Sequence, residues 1–202
     1  MRRVLALVTL AITFCLHLTA PALADDSNLS ESIAQRVYNA DDPTTTLESL
    51  SPTERRLFAQ RLESDWTSVR TEYRLVLRAA TPTEASHMAG IAERAASKCY
   101  SQYEYRKWYD LTVNTGDTWM TAHWCSNGTK ITSYRLSGQG GQGYKGITYS
   151  GLGSRTTKDV GWEVRQAQQF KFSIWILGAQ PCMQIRGGAT GKYSSKGSCD
   201  LT

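Results

Sequence analysis

The fold is decided by residues 119–132, which read WMTAHWCSNGTKIT. Two runs rich in β-forming residues flank an Asn-Gly pair, which is the strongest short-range signal of a β-hairpin. A type I′ turn is expected at this pair, because both central residues of that turn need a positive φ. The hairpin also carries Trp119, His123, Trp124 and Cys125, which are residue types that contact ligands or form disulfides.

Short β-rich runs of the same kind fill the rest of residues 99–202. All sixteen glycines except Gly90 lie in this part, where Tyr, Trp, Thr and Ser are also frequent. Strands are predicted over the ranges 103–113, 119–125, 130–136, 144–150, 161–164, 170–177, 183–187 and 193–195. Loops are expected between them, at the segments 114–117, 138–143, 151–154 and 178–181. This spacing is typical of an antiparallel β-sandwich, with a barrel as the alternative.

The N-terminal part of the chain is predicted to be helical. Residues 27–39 have apolar side chains at helical spacing. Residues 51–54 read SPTE and residues 81–84 read TPTE, and each is a capping box with proline in the first turn. Helices are therefore predicted over 51–78 and 81–97, joined as an antiparallel hairpin. The first of them has one apolar stripe, formed by Phe58, Leu62, Trp66, Val69, Tyr73 and Val76.

The first 24 residues are typical of a secretory signal peptide. Arg2 and Arg3 give a positive n-region, residues 4–18 give an apolar h-region, and residues 22–24 read ALA, as a cleavage site should. The h-region is too short for a transmembrane helix, and no second apolar run of spanning length follows. The mature protein is expected to begin at Asp25 and to be secreted, with no membrane span after cleavage.

The sequence thus predicts an α+β protein in three parts: a signal peptide over 1–24, a helical segment over 25–98 and a disulfide-bonded β-sandwich domain over 99–202.

The helical segment has nine Lys and Arg against twelve Asp and Glu, and the β domain has twelve Lys and Arg against six Asp and Glu. The basic residues are scattered rather than clustered, so no nucleic-acid partner is predicted.

Cleavage removes Cys15 and leaves Cys99, Cys125, Cys182 and Cys199. An even number of cysteines in an exported chain indicates two disulfides, with three possible pairings. We favour Cys99–Cys125 and Cys182–Cys199, because each bond braces strands that are adjacent in sequence. A four-cysteine zinc site is disfavoured, since no two cysteines have the close spacing that such a site needs.

Catalytic chemistry finds little support in the sequence. His87 and His123 are the two histidines of the mature chain, and no metal-ligand, nucleophile-elbow or phosphate-loop spacing occurs. No catalytic residue, metal site or cofactor is therefore predicted. A hydrolase would need His123 beside an acid such as Asp110, Asp117 or Asp159, and the spacing of these residues does not indicate one.

Aromatic residues are in surplus in the β domain, and some are expected to face solvent. Exposed Tyr and Trp on a sheet are typical of surfaces that bind sugars or proteins, whereas a buried ring is simply part of the core. The candidate binding residues are Trp119, Trp124, His123, Tyr103 and Tyr105. Because side chains alternate along a strand, His123 is expected on the opposite face from Trp124.

The C-terminal half resembles a group of secreted, β-rich bacterial proteins, mostly actinobacterial, with no function assigned to them. The resembling segments are 124–132, 143–147, 170–172, 181–184 and 188–193. In that group a cysteine often occurs near the position of Trp175, whereas this chain has Cys199 instead. The resemblance implies an extracellular β-rich fold and implies no activity or site residue.

The leading functional prediction is a secreted, non-enzymatic binding or interaction module. Its expected partner is a cell-envelope polysaccharide or another extracellular protein. The alternatives are an extracellular hydrolase that uses His123 with a nearby acid, and a secreted inhibitor that presents a disulfide-braced loop. A row of exposed aromatic residues on the sheet would favour the binding module, and His123 beside an acid in a cleft would favour the hydrolase.

Overall fold

The computed structural model describes residues 22–79, 98–174 and 177–202. The described part of the chain has three helices and nine strands. Their bounds are α1 Ala22–Tyr38, α2 Pro43–Ser49, α3 Pro52–Asp65, β1 Thr67–Arg78, β2 Lys98–Asp110, β3 Val113–Ser126, β4 Ile131–Gly143, β5 Thr148–Asp159, β6 Glu163–Ile174, β7 Leu177–Ala179, β8 Cys182–Gly188 and β9 Tyr193–Lys196. The predicted α+β class is therefore confirmed, while most of the predicted signal peptide lies outside the described residues and stays a prediction.

The strands form two antiparallel sheets that pack face to face. The first sheet has the order β1-β2-β3-β4, and the second has the order β5-β6-β8-β9, with β7 paired to β6. Side chains of the two inner faces meet, as where Thr118 Oγ1 on β3 donates to Met183 Sδ on β8 at 2.7 Å. The architecture is a sandwich, and the alternative of a closed barrel is wrong.

The helix that begins after Ser51 is shorter than predicted. Its capping box is present, because Ser51 N donates to Glu54 Oε2 at 2.8 Å and Glu54 N donates to Ser51 Oγ at 3.3 Å. However, α3 ends at Asp65, and the chain continues as strand β1. The predicted helix is therefore wrong beyond Asp65, and the predicted helix over 81–97 lies outside the described residues.

Strand β1 belongs to the first sheet although it precedes the predicted domain boundary at residue 98. It pairs with β2 along its whole length, from Thr67 opposite Tyr109 to Arg78 opposite Cys99. The β-branched and aromatic residues of this segment suit a strand as well as a helix, and the ladder with β2 decides between the two. The sheet thus begins in the segment that the sequence assigns to helices.

The glycine-rich segments 138–143 and 151–154, predicted as loops, are parts of strands β4 and β5. In β4 the glycines provide space rather than flexibility. A Cβ atom on Gly140 would lie 2.5 Å from Cζ2 of Trp119, so the indole occupies the place of a side chain. A ring that covers a strand glycine in this way restores the packing that the glycine lacks.

The hairpin predicted from the Asn-Gly pair is confirmed, but its turn is not type I′. Residues 127–130 connect β3 to β4, and of these four only Gly128 has a positive φ, of 96°. The Asn127 Oδ1 atom accepts hydrogen bonds from the amides of Thr129 and Lys130 at 3.0 and 2.8 Å. The asparagine therefore closes a four-residue loop through its side chain.

The helices are fixed to one end of the sandwich by a buried carboxylate. Asp110, the last residue of β2, is fully buried. It accepts hydrogen bonds from Tyr38 Oη of α1 at 2.7 Å and from Arg61 Nε of α3 at 2.8 Å. The core runs from these helices into the sandwich and includes Val37, Leu47, Phe58, Leu62, Trp108, Met120, Phe170, Phe172, Met183 and Ile185.

Both disulfides have the predicted pairing. The Cys99–Cys125 bond joins residues that lie directly opposite each other on β2 and β3, with Cα atoms 4.0 Å apart. The Cys182–Cys199 bond ties the C-terminal residues to the start of β8. Two disulfides are typical of an oxidising, extracellular compartment.

Among the described residues, none of the helices has the length and apolar character needed to cross a membrane.

Candidate functional site: the outer face of the first sheet

The first sheet has an inner face, which packs on the second sheet, and an outer face. Side chains alternate between the two faces along a strand, and directly opposite residues on neighbouring strands share a face. Tyr105 lies opposite Trp119, and Tyr103 lies opposite Thr121. By this alternation, Tyr103, Tyr105, Trp119 and His123 all belong to the outer face. The structure thus places four of the five predicted binding residues on one face of the sheet, and three of them lie close together.

Trp124 is the exception, because it belongs to the core. Its side chain is fully buried on the inner face, and its indole stacks on Tyr100 with ring centroids 5.4 Å apart. The indole Nε1 donates to the carbonyl of Gly188 on the opposite sheet at 3.0 Å. The prediction that Trp124 contacts a ligand is therefore wrong, since an indole with its N–H satisfied inside the sandwich cannot reach solvent.

Three aromatic side chains, Tyr103, Tyr105 and Trp119, form what we call the aromatic platform. The rings of Tyr105 and Trp119 have centroids 6.0 Å apart and planes within 6° of parallel. Trp119 also lies across Gly140 of β4, as described above. All three side chains are half-buried, so each ring packs on the sheet and still presents surface to solvent. The platform spans strands β2 and β3.

The platform is anchored by the carboxylate of Asp117. Asp117 Oδ2 accepts hydrogen bonds from Tyr105 Oη at 2.5 Å and from Tyr144 Oη at 2.6 Å, and its Oδ1 accepts one from Asn114 Nδ2 at 3.0 Å. The Asp117 side chain itself is buried. Such charge-assisted hydrogen bonds are short and directional, so they fix the orientation of both phenol rings.

The sequence suggests Asp117 only as a candidate acid for a hydrolase and not as part of the binding surface, because residues 114–117 resemble a turn. In the structure these residues lie inside β3. Once the segment is known to be a strand, the spacing of two residues between Asp117 and Trp119 places both on the outer face. The signal was therefore present in the sequence, but it depended on the strand boundary.

The phenols bound to Asp117 remain protonated over a wide pH range. Burial raises the pKa of Tyr105, and the hydrogen bond to Asp117 raises it further. The hydrogen bond to Asp117 is also the main reason why the pKa of Tyr144 is raised. In both cases a phenolate beside the carboxylate would be unfavourable. The two hydroxyl groups therefore act as permanent donors to Asp117.

His123 lies on the same face but at some distance along the strand from the platform. Its Nε2 atom forms a hydrogen bond of 2.6 Å with Ser137 Oγ on β4. In the sheet it lies between Ser101 of β2 and Arg135 of β4. Its side chain is largely buried, because it packs among its neighbours on the outer face rather than projecting into solvent.

The acids considered for a hydrolase site are not beside His123. Asp110 follows Ser101, the β2 partner of His123, by nine positions, which places it ~30 Å along the strand. Asp117 precedes His123 by six positions on β3, or ~20 Å. Asp159 belongs to β5 of the second sheet, which packs against the inner face of the first. No catalytic pair of His123 with any of these three acids is therefore formed.

Charged side chains border the platform on the β1 side. Arg74 lies directly opposite Tyr103, and Glu72 lies opposite Tyr105 across a β-bulge; both charged residues are exposed. Burial raises the pKa of Tyr103, the Glu72 charge raises it further, and the Arg74 charge lowers it. The platform thus has a polar, charged margin beside its apolar rings.

No group of His, Cys, Asp or Glu within residues 22–79, 98–174 and 177–202 has the geometry of a metal site. In comparisons with known proteins, no protein family, curated protein or solved structure matches the chain. The functional conclusion therefore depends on the geometry of the outer face.

Proposed function

We propose that the protein is a non-enzymatic binding module whose aromatic platform binds a glycan chain of the cell envelope. The observation that carries this proposal is the pair Tyr105 and Trp119, whose rings lie parallel on an outer sheet face. The C–H faces of sugar rings are apolar and pack against aromatic faces, while sugar hydroxyl groups need polar partners around them. The platform and its charged margin supply both kinds of contact.

The platform is already in a fixed geometry before any ligand binds. Asp117 holds the phenol of Tyr105, and the Trp119 indole packs on Gly140. Fewer side-chain rotamers then have to be ordered on binding, and this ordering costs about 0.5–1.5 kcal/mol for each mobile side chain. Because the platform side chains are already ordered, the entropic cost of binding a flexible polymer comes mainly from ordering the polymer itself.

The polar margin favours a carbohydrate ligand over an apolar protein surface. Glu72 and Arg74 are exposed beside Tyr103, and Tyr144 is 38% exposed beside Asp117. Carboxylate, guanidinium and phenol groups all form hydrogen bonds with sugar hydroxyls. The core of a protein–protein interface is instead usually depleted of charged residues.

The proposal is tested by affinity electrophoresis and calorimetry of the oxidised protein with soluble envelope polysaccharides, and by co-sedimentation with insoluble wall fractions. We expect Trp119→Ala to weaken binding by about 2 kcal/mol, or roughly 30-fold, as for the loss of a central aromatic contact. Tyr103→Ala should weaken binding less, because Tyr103 lies outside the parallel pair. Tyr134→Ala is the control, since Tyr134 is a 43% exposed aromatic residue of the same sheet that lies opposite Trp124 and therefore not on the face of the platform.

Two results would contradict the proposal. One is that no polysaccharide or wall fraction retains the wild-type protein. The other is that the Trp119 and Tyr134 variants bind equally well. Retention of the protein by a purified extracellular protein but by no glycan would identify the interaction-module alternative instead.

A further inference from the structure

The end of the sandwich opposite the helices contains a cavity that is separate from the aromatic platform. Its volume is about 340 Å³, within the range of about 300–1,000 Å³ that is usual for ligand pockets. Three loops surround it, formed by residues 127–130 between β3 and β4, 160–162 between β5 and β6, and 189–192 between β8 and β9. Both sheets therefore contribute to its walls.

The three loops are joined by hydrogen bonds. Ile131 N, after the β3–β4 loop, donates to the carbonyl of Gly161 at 2.6 Å, and Ala189 N donates to the carbonyl of Trp162 at 2.8 Å. Ser126 Oγ, at the end of β3, donates to the carbonyl of Ala189. Each loop is thus connected to at least one other, so the cavity is largely formed before a ligand enters.

Trp162 is the most informative residue of the cavity wall. Its side chain is 60% exposed, although a large aromatic ring is normally buried when the fold allows it. Its backbone is fixed on both sides, because Val160 N donates to the carbonyl of Glu163 at 2.9 Å and Trp162 itself accepts from Ala189. A rigid backbone that holds an indole in solvent at the edge of a cavity is typical of a binding contact.

The cavity is positively charged and rich in hydroxyl groups. Arg186 and Lys192 line it, together with Glu163, whose charge is balanced by Arg165 through an ion pair of 2.6 Å. Arg186 already donates to Gln184 Oε1 at 2.7 Å and to the carbonyl of Thr202, so we assign an anionic ligand group to Lys192 rather than to Arg186. Hydroxyl groups come from four lining residues, namely Thr129, Thr190, Tyr193 and Ser194.

We propose that this cavity binds a single anionic sugar residue, a pyranose ring with a carboxylate or phosphate substituent. The ring packs on the indole of Trp162, and the anionic group lies toward Lys192. The hydroxyl groups of Thr129 and Tyr193 provide hydrogen bonds to the sugar. A free anion would not contact the indole of Trp162, and a neutral sugar would gain nothing from the charge of Lys192. An anionic sugar contacts both groups. This site does not depend on the aromatic platform.

The test is calorimetry of the oxidised protein with glucuronate, glucose 6-phosphate, glucose and inorganic phosphate as separate probes. We expect both anionic sugars to bind at least 10-fold more tightly than glucose and than inorganic phosphate. The stronger of the two identifies the source of the anion as a uronic acid or a phosphorylated sugar. Trp162→Ala should abolish this binding, and Lys192→Gln should reduce the affinity for the anionic sugars to that for glucose.

Tyr134→Ala is the control, because Tyr134 is exposed but belongs neither to the platform nor to the lining of this cavity, and the variant should leave the affinity for the anionic sugars unchanged. The proposal is overturned if the Trp162 variant binds the probes as the wild type does, or if glucose binds as tightly as glucuronate. It is also overturned if inorganic phosphate alone binds as tightly as glucose 6-phosphate.

Discussion

Replacing Asp110 with alanine tests how the helices are held on the sandwich. The carboxylate is fully buried and receives hydrogen bonds from Tyr38 and Arg61, whose side chain is only 8% exposed. Removing one partner of a buried ion pair costs about 3–5 kcal/mol, because the remaining charge loses its counter-charge inside the protein. For a protein of this size that corresponds to a fall in Tm of about 6–20 °C.

The matched control is the exposed ion pair between Arg36 of α1 and Glu54 of α3. Its atoms are 2.6 Å apart, closer than the buried pair, but the two side chains are 54% and 27% exposed. An exposed pair contributes little to stability, since water and salt screen it. Arg36→Ala should therefore change stability far less than Asp110→Ala, although both variants remove an ion pair of a helix.

Urea unfolding of the oxidised proteins, followed by far-UV and tryptophan signals, measures both free energies. Asp110→Asn is a second variant of the same site, which keeps the size of the side chain and one neutral acceptor, and we expect an intermediate loss. If Asp110→Ala costs no more than Arg36→Ala, burial does not determine the strength of these ion pairs, and the account of helix docking is refuted.

Three further outcomes are expected. Burial raises the pKa of Tyr38 above that of an unfolded tyrosine. The stability that its neutral phenol contributes is therefore present below about pH 10 and is lost as the pH rises further. Tyr38→Phe should show a smaller decrease in the free energy of unfolding above about pH 10 in urea titrations. Replacing Cys182 and Cys199 with serine opens a loop of sequence separation 17 and should cost about 3 kcal/mol in the same assay, and a loss below about 1 kcal/mol would contradict the chain-entropy account. Gly187→Ala would place a Cβ atom in the ring of Trp124 and should cost about 1–3 kcal/mol with a changed near-UV spectrum, whereas an unchanged melting curve would contradict the packing.

Features that depend on local sequence signals were predicted correctly. Alternation placed His123 and Trp124 on opposite faces, and the capping box at Ser51 started α3 where expected. The pairing of Cys99 with Cys125 followed from the expectation that neighbouring strands are bridged, and it is confirmed.

The end of α3 was not predictable from local signals. Apolar residues continue at helical spacing past Asp65, and no glycine marks a stop. What ends the helix is the ladder between β1 and β2, which is a contact with residues 98–110 and therefore depends on tertiary structure. Local propensity differs by less than about 1 kcal/mol per residue between the two states, so such a ladder outweighs it.

The glycine-rich part of β4 illustrates a second limit of sequence reading. Glycines at 138–143 indicate a loop when only propensity is considered. In the structure they leave room for a ring from the neighbouring strand, as Gly140 does for Trp119. The same contact builds the platform, so a loop at these glycines would leave Trp119 without its packing partner on β4.

The bond between Cys99 and Cys125 has a consequence for the motions of the hairpin formed by β2 and β3. The bond closes one end of the hairpin and the turn closes the other, so the two strands form a covalent ring. Neither end can fray, and the amides between them exchange with solvent only when the strands separate as a whole. Tyr105 and Trp119 lie within this ring, so the proposed binding surface belongs to a pair of strands that is closed covalently at both ends.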